Sequence, residues 1–221
     1  MAIAEAIPIL HKIHSTGYWQ INIWPTGFDA NRIHDLSSCE EIIRACKVSL
    51  DAVEYPFLGG NIVNGQDWIE SEEDSKPHVE FWRFYQSGQF VQHLSVREDY
   101  WSPERKTLRV QATVHILTQV YEFAARLAEQ HVLTPAAQIS VTLCGTQGRV
   151  LETITGRLSG TYAAGIDTIT HEDIYSQQDL IASRNEIALK ATMFVFERFN
   201  WKNPPEQLLR EDQRRLLERR F

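Results

Sequence analysis

The stretch Glu80-Phe-Trp-Arg-Phe-Tyr-Gln-Ser-Gly-Gln-Phe-Val-Gln-His-Leu-Ser-Val-Arg-Glu-Asp-Tyr-Trp101 decides the fold and has the densest aromatic content of the chain. Its first half is rich in aromatic residues, which favour strands. From Phe90 onward, apolar and polar residues alternate with a period near two, as in a half-buried strand. Between the halves, the residues from Gln86 to Gln89 form a turn cluster in which Gly88 tolerates a positive φ. The stretch therefore predicts a β-hairpin.

The aromatic residues of this stretch have two interpretations. Trp82, Tyr85 and Trp101 are candidate binding residues, because aromatic rings of this kind stack on bases or peptides. The alternative is that the hairpin lies in the core, and the small number of basic residues in the stretch, which has only Arg83 and Arg97 besides His93, favours that alternative.

Composition places the chain among ordinary soluble proteins. It has 221 residues, 43% apolar residues and a formal net charge of −7, which disfavour a general nucleic-acid coat and an anionic-membrane binder. Its three cysteines are dispersed without a paired spacing, as in proteins of a reducing compartment. With no apolar run near 18 residues and no signal-peptide pattern, the sequence predicts a cytoplasmic protein.

Further periodic segments complete the expected fold. Apolar and polar residues alternate over Tyr18–Trp24, which predicts a strand. Residues 35–46 predict a helix capped by Ser37 or Ser38. Residues 138–154 predict a second hairpin, with its turn at Gly145–Gly148. Two long core helices are expected, one starting at Ser102-Pro103 and ending near Thr134-Pro135, the other over 178–200. The fold class is therefore α+β: an antiparallel sheet built from hairpins, two long helices packed on it, and a C-terminal amphipathic helix.

The C-terminal segment is expected to be a separate docking helix. The Pro204-Pro205 pair divides the chain into a single α+β domain over 1–203 and a docking helix over 204–221. Its narrow apolar seam, flanked by arginines, is expected to contact its own domain, a second copy or a protein partner. The candidate binding residues on this helix are Leu209, Arg210, Arg214, Leu216, Leu217 and Arg220.

Several patches of the first hundred residues resemble an uncharacterised family of prokaryotic proteins and domains. Relatives in this family occur beside Schlafen-like AlbA-type domains associated with DNA binding. The most specific patch has the pattern Trp-x-x-Tyr-Gln-Ser-Gly-Gln-Phe. The matching patches are Gly17-Tyr-Trp…Ile23-x-Pro25, Arg32-Ile33…Leu36…Cys39, Tyr55-Pro56, Asp67-Trp-Ile69 and Trp82-Arg-Phe-Tyr-Gln-Ser-Gly-Gln-Phe-Val91.

The resemblance implies an accessory module in bacterial regulation or anti-phage defence, and it implies no catalytic residue. The chain departs from the family at Asp51-Ala-Val53, where relatives often carry Arg-Gly-Trp, so a shared function of that loop is not expected. The AlbA-type domain is also absent from this sequence.

Three functional hypotheses follow. The first is a non-enzymatic binding subunit, because the chain lacks the phosphate-loop, dinucleotide-binding, GxSxG, HExxH and zinc-binding motifs. For the same reason, no cofactor or metal is predicted. The second is an enzyme with dispersed catalytic residues, for which the candidates are His78, Glu80, His93, Arg157 and His171. The third is nucleic-acid binding through the C-terminal arginines together with Arg83, Arg97 and Arg105.

The acidic run over 67–74 is interpreted as a solvated loop or helix end. A divalent-cation site is the alternative, but a second carboxylate motif is missing.

Overall fold

A seven-stranded antiparallel sheet forms the centre of the molecule in a computed structural model, which describes residues 8–50, 53–153, 158 and 160–218. In chain order the elements are α1 (Pro8–His14), β1 (Tyr18–Pro25), α2 (Leu36–Cys46), β2 (Val48–Leu50), β3 (Val53–Tyr55), β4 (Val63–Asn64), β5 (Trp68–Ser75), β6 (His78–Tyr85), β7 (Phe90–Ser95), α3 (Glu98–Trp101), β8 (Thr107–Arg109), α4 (Val110–Glu129), β9 (Ala136–Cys144), β10 (Val150–Glu152), β11 (Thr168–Ser176), α5 (Gln177–Arg198) and α6 (Glu206–Glu218).

Strand β1 is an interior strand, the third of seven in the sheet order β11-β9-β1-β7-β6-β5-β4. It pairs antiparallel with both neighbours, so that Ile21 lies opposite Gln92 of β7 and Val141 of β9. Trp19, Ile21 and Ile23 are buried on one face of this strand, as its alternation predicted. The α+β class, with an antiparallel sheet, long helices and a C-terminal helix, is confirmed.

The two faces of the sheet are covered unequally. On one face, α2, α4, α5 and α6 enclose the main hydrophobic core together with the inward side chains of the strands. On the other face, the short helix α1 covers only one corner, where Leu10 and Ile13 pack against Val79 and Phe81. Most of this second face therefore remains open, and we call it the open face.

The predicted hairpin is confirmed as β6 and β7, which pair antiparallel with Phe84 opposite Phe90. Gly88 in the turn has a φ of 83°, a conformation that glycine adopts without steric cost. The long helix predicted over 178–200 is also confirmed, as α5.

The predicted second hairpin is wrong. Strand β9 pairs with β11 along nine residues, while β10 leaves the sheet and pairs in parallel with β8. The buried side chain of Arg149, just before β10, donates to the Thr107 carbonyl at 2.7 Å and so holds the chain against β8. A three-residue return strand also offers fewer ladder hydrogen bonds than the nine-residue β11.

Three local predictions also need correction. Helix α4 begins at Val110 and not at Ser102-Pro103, because Thr107–Arg109 forms a strand and the Glu98 carboxylate accepts the N–H of Arg109 at 2.9 Å. Asp35 caps α2, accepting the N–H of Ser38 at 2.7 Å, so neither predicted serine is the cap. Most of the acidic run over 67–74 is strand β5.

Candidate functional site

A cavity of about 170 Å³ lies on the helical side of the sheet, between β1, the β2–β3 hairpin, α3, the first turns of α4, and α6. An apolar cavity of about 150 Å³ is large enough to bind benzene, so this one has room for a small ring. Most of its wall is apolar, and the apolar lining residues include Leu50, Val53, Val96, Leu108, Ala112, Ile116 and Leu216.

One residue that lines this cavity, Trp19, has a buried donor without an acceptor. The Trp19 side chain is 1% exposed, and its Nε1–H has no hydrogen-bond acceptor among the residues that the structure describes. Leaving a buried donor unsatisfied costs about 1–3 kcal/mol. An occupant that carries an oxygen acceptor would relieve that cost, which gives the cavity a specific polar preference.

The mouth of the cavity is formed by Trp101 and Arg109. The Trp101 side chain is 50% exposed, and the Arg109 guanidinium lies 4.6 Å from the centre of its ring, within the range of a cation–π contact. This pair places a flat aromatic side chain where an apolar ligand would enter.

The charged side chains at the cavity already have partners inside the protein. Glu98 accepts the backbone N–H of Arg109, and Arg97 donates from Nη2 to His78 Nδ1 at 2.8 Å. Burial lowers the pKa of Arg97 from its usual value, and the nearby carboxylates of Glu80 and Glu98 oppose that shift. Because Arg97, Glu98 and Arg109 each already contact a protein group, the cavity favours an uncharged occupant over an ion.

Helix α3 carries two residues of the cavity and is fixed by a buried ion pair. Asp99 binds Arg149 through both carboxylate oxygens, at 2.7 and 2.8 Å, and also accepts the N–H of Gly17 at 2.7 Å. Arg149 is 1% exposed. A Cβ at residue 17 would overlap the guanidinium of Arg149, so a larger residue there would displace this ion pair.

Helix α6 closes the cavity from the opposite side. Leu216 lines it, and Gln213 Nε2 donates to Thr118 Oγ1 at 3.2 Å and to the Asn185 carbonyl at 3.0 Å. These two bonds join α6 to α4 and α5. The C-terminal helix therefore packs against its own domain. This is one of the three contacts expected for it, the others being a second copy and a protein partner.

The three aromatic candidates from the hairpin region lie in three different places. Trp82 is 1% exposed, and its indole N–H donates to the Phe57 carbonyl at 2.9 Å. Tyr85 lies on the open face and lines a groove there, whereas Trp101 lies at the cavity mouth. They do not form one stacking platform, because Trp82 and Tyr85 belong to opposite faces of β6.

The candidate residues of α6 divide into a buried seam and a solvent-facing set of ion pairs. Leu209 and Leu216 are buried, and Leu217 packs half-buried against the same core. Arg210 pairs with Glu186 and Glu206, and Arg214 pairs with Glu218. Arg220 lies outside the described residues.

The proposed catalytic residues are not gathered into one site within the described chain. His78 Nε2 lies 2.7 Å from Glu80 Oε2, although the ring N–H is not aligned as a hydrogen bond. His93 lies on the open face, and the ring of His171 packs against Phe194 on the helical side. Arg157 lies outside the described residues.

The His78–Glu80 contact belongs to a buried network that supports the fold. Glu80 is 2% exposed and accepts from Gln92 Nε2 at 2.7 Å and from the Phe57 N–H at 3.2 Å. Arg97 Nη2 donates to His78 Nδ1, which is the acceptor in this contact. Both ring nitrogens thus contact protein groups, and neither residue lines the cavity.

The three arginines of the nucleic-acid hypothesis do not share a surface. Arg83 lies on the open face, donates to Glu70 and stacks over Trp68 at 4.0 Å. Arg97 lies at the cavity, and exposed Arg105 is 3.3 Å from Glu152. Each guanidinium therefore contacts a side chain of this protein, and the three form no continuous basic patch.

Two absences can be stated for the described part of the chain. No group of three or more histidine, cysteine, aspartate or glutamate side chains there is arranged to hold a metal ion. None of the helices there has the length and apolar character needed to cross a membrane.

Trp19, which lines the cavity, was not among the candidate residues predicted from the sequence. Its alternation pattern predicts burial, but no local pattern shows that its N–H lacks an acceptor. Glu98 was not predicted either, because its carboxylate bonds the backbone N–H of Arg109, eleven residues later, just before α4. On the open face, the polar positions of Tyr18–Trp24 carried a usable signal, since Gln20 and Asn22 point away from the core.

Comparison of the chain with protein-family models, with curated proteins and with solved structures found no significant match.

Proposed function

We propose that this protein is a non-enzymatic binding module that takes up one small, uncharged, mostly apolar molecule in the cavity beneath α4 and α6. The observation that carries the proposal is the Trp19 Nε1–H, buried without an acceptor in a wall that is otherwise largely apolar. A ligand with a ring and a single carbonyl or ether oxygen matches this combination, because apolar pockets with a few placed polar groups bind such molecules.

The occupied charges support binding over catalysis. Glu98, Arg97 and Arg109 all contact other protein groups. Of these three, only Glu98 could act as a general base, and its carboxylate already accepts the N–H of Arg109.

In its wider role, the protein would be an accessory subunit of a cytoplasmic bacterial assembly that acts in regulation or anti-phage defence. This part of the proposal rests on the family resemblance described above. A protein partner or second copy would meet the outer surface of α6, where Leu208 is 48% exposed. Light scattering of the full chain tests this part. We expect Leu208→Glu to weaken association, and an unchanged mass would discard the role of α6 in assembly.

Ligand binding is tested with two probes of matched shape, acetophenone and isopropylbenzene. Both carry a benzene ring with a branched three-atom substituent, but only acetophenone has an oxygen acceptor. Calorimetry on the full chain should detect binding of both probes. Trp19→Phe should lower the affinity for acetophenone about three- to tenfold relative to that for isopropylbenzene, which is the range expected for one hydrogen bond.

Two control variants separate the outcomes. Trp24→Phe changes a tryptophan of the same strand that lies on the open face, and it should leave both affinities unchanged. Ala112→Leu fills the cavity and should abolish binding of both probes. If neither probe binds the folded wild-type chain, or if Trp19→Phe weakens both equally, the proposal is wrong.

A further inference from the structure

A groove of about 500 Å³ crosses the open face, on the opposite side of the sheet from the cavity. One wall is α1, through Leu10 and His14, and the floor is formed by β1, β6 and β7. The lining residues include Phe81 and Val91 as an apolar floor, with Gln20, Asn22, Arg83, Tyr85, Gln89 and His93 around it.

Three amide side chains of this groove have no hydrogen-bond partner. Gln20, Asn22 and Gln89 make no side-chain hydrogen bond with any residue in the described part of the chain. The other half of the same face is different, since Gln138 donates to Glu172 at 2.7 Å and Thr142 bonds Thr170 at 3.0 Å. The partnerless amides are therefore concentrated where the groove is.

The groove carries no unbalanced charge. Arg83 is paired with Glu70. At the other end, His14 Nε2 lies 3.1 Å from His93 Nδ1, and the His14 ring stacks on Tyr18. Burial and the neighbouring His14 lower the pKa of His93 to about 4, and burial also lowers that of His14. Both rings are neutral near neutral pH, so a phosphate or carboxylate finds no free cation among these groups.

We propose that this groove binds a neutral sugar, as a site separate from the cavity. Amide side chains present both donors and acceptors, which is what the hydroxyl groups of a pyranose require. The half-buried side chain of Val91 matches the C–H face of the sugar ring, whereas Phe81 is only 3% exposed and packs against α1. The volume of about 500 Å³ accommodates one or two rings. An anionic ligand, including nucleic acid, is disfavoured by the balanced charges.

Saturation-transfer NMR on the full chain tests the proposal, with glucose, galactose, N-acetylglucosamine, cellobiose and lactose as probes. We expect transfer to at least one of them, and the double variant Gln20→Ala with Asn22→Ala should weaken its binding about tenfold or more. The matched control is Gln138→Ala, an amide of the same sheet face outside the groove, which should leave binding unchanged.

The outcomes are distinguishable from those of the cavity. Ala112→Leu, which fills the cavity, should not affect sugar binding. The proposal is overturned if no sugar receives saturation, or if the double variant and wild type bind equally. It is also overturned if adenosine binds in the groove while all five sugars fail, because the groove would then recognise a heterocycle.

Discussion

The two faces of the central sheet differ although they are made of the same strands. On the helical face, side chains such as Phe84 and Phe90 are fully buried, and even the polar Gln92 is bonded to Glu80. On the open face, Asn22 and Gln20 are half-buried and make no such bond. The helical face thus holds the fold together, whereas the open face has polar groups left for a ligand.

This difference shows where ligand sites can form in a small α+β domain. On the helical face, a site exists only where packing leaves a gap, as it does around Trp19. On the open face, a site does not require a packing defect, because one short helix beside strands that no other element covers already forms a groove. The following substitutions test this contrast, beginning with the largest expected effect.

The sharpest test compares two neighbours in β7 that point to opposite faces. Phe90→Ala should lower the free energy of unfolding by about 4 kcal/mol, because Phe90 is fully buried and its ring centre lies 4.8 Å from that of Phe123. Val91→Ala, on the open face, should cost about 1 kcal/mol or less. Urea unfolding of both variants measures the difference, and equal losses would contradict the division into two faces.

Helix α6 offers a second comparison on the helical side. Leu209→Ala should destabilise the protein by about 3 kcal/mol, since this residue is fully buried against the main core. Its neighbour Leu208 is 48% exposed, and Leu208→Ala should stay within about 0.5 kcal/mol. Thermal and urea unfolding of the full chain serve as the measurement. A small effect of Leu209→Ala would mean that α6 is not part of the cooperative unit.

The stability of the protein should depend on pH through His93, which lies on the open face. Its pKa is about 4 in the folded chain and 6.5 ordinarily, so on acidification the unfolded chain takes up the proton first. The free energy of unfolding should therefore fall as the pH drops from 6.5 towards 4, by about 2 kcal/mol after allowance for partial exposure.

Urea unfolding at several pH values, on wild type and on His93→Asn, measures this slope. The variant should lose most of it and keep the smaller part that His14 contributes, because burial also lowers the pKa of His14. An equal slope in both proteins would mean that another group is responsible.

The smallest effect is expected for an amide of the open face. Asn22→Thr should change the free energy of unfolding by no more than about 0.5 kcal/mol, because the side chain bonds no described residue and threonine suits a strand. Gln92→Thr is the matched substitution on the helical face, and it should cost about 2 kcal/mol by removing a buried bond to Glu80. If Asn22→Thr proves the more costly of the two, Asn22 supports the fold and the groove loses its strongest argument.

Much of the fold could be predicted from local patterns. The alternation in Tyr18–Trp24, the turn at Gly88 and the apolar face of α5 each identified an element, because burial on one side imposes a period on the sequence. The prediction failed where a distant partner decides the local structure. Glu98 delays the start of α4 to Val110, and Arg149 directs β10 to β8 and away from β9.

The candidate site was predictable only in fragments. Trp101 and Leu216 were identified separately, one as a candidate stacking residue and the other as part of a helical seam, and the structure places both at one cavity. Their meeting depends on the packing of α3 and α6 around α4. No spacing in the sequence encodes that meeting, since the two residues are far apart in the chain.

The sequence by itself determined the α+β class, the principal hairpin, the long helix α5 and the amphipathic character of α6, because these depend on the period with which apolar residues recur. Only the tertiary structure decided that α6 packs into its own domain, that β9 pairs with β11, and that Trp19 faces a cavity without an acceptor. Those features depend on which distant groups satisfy buried hydrogen bonds and fill space, and such partners are chosen by the whole packed chain.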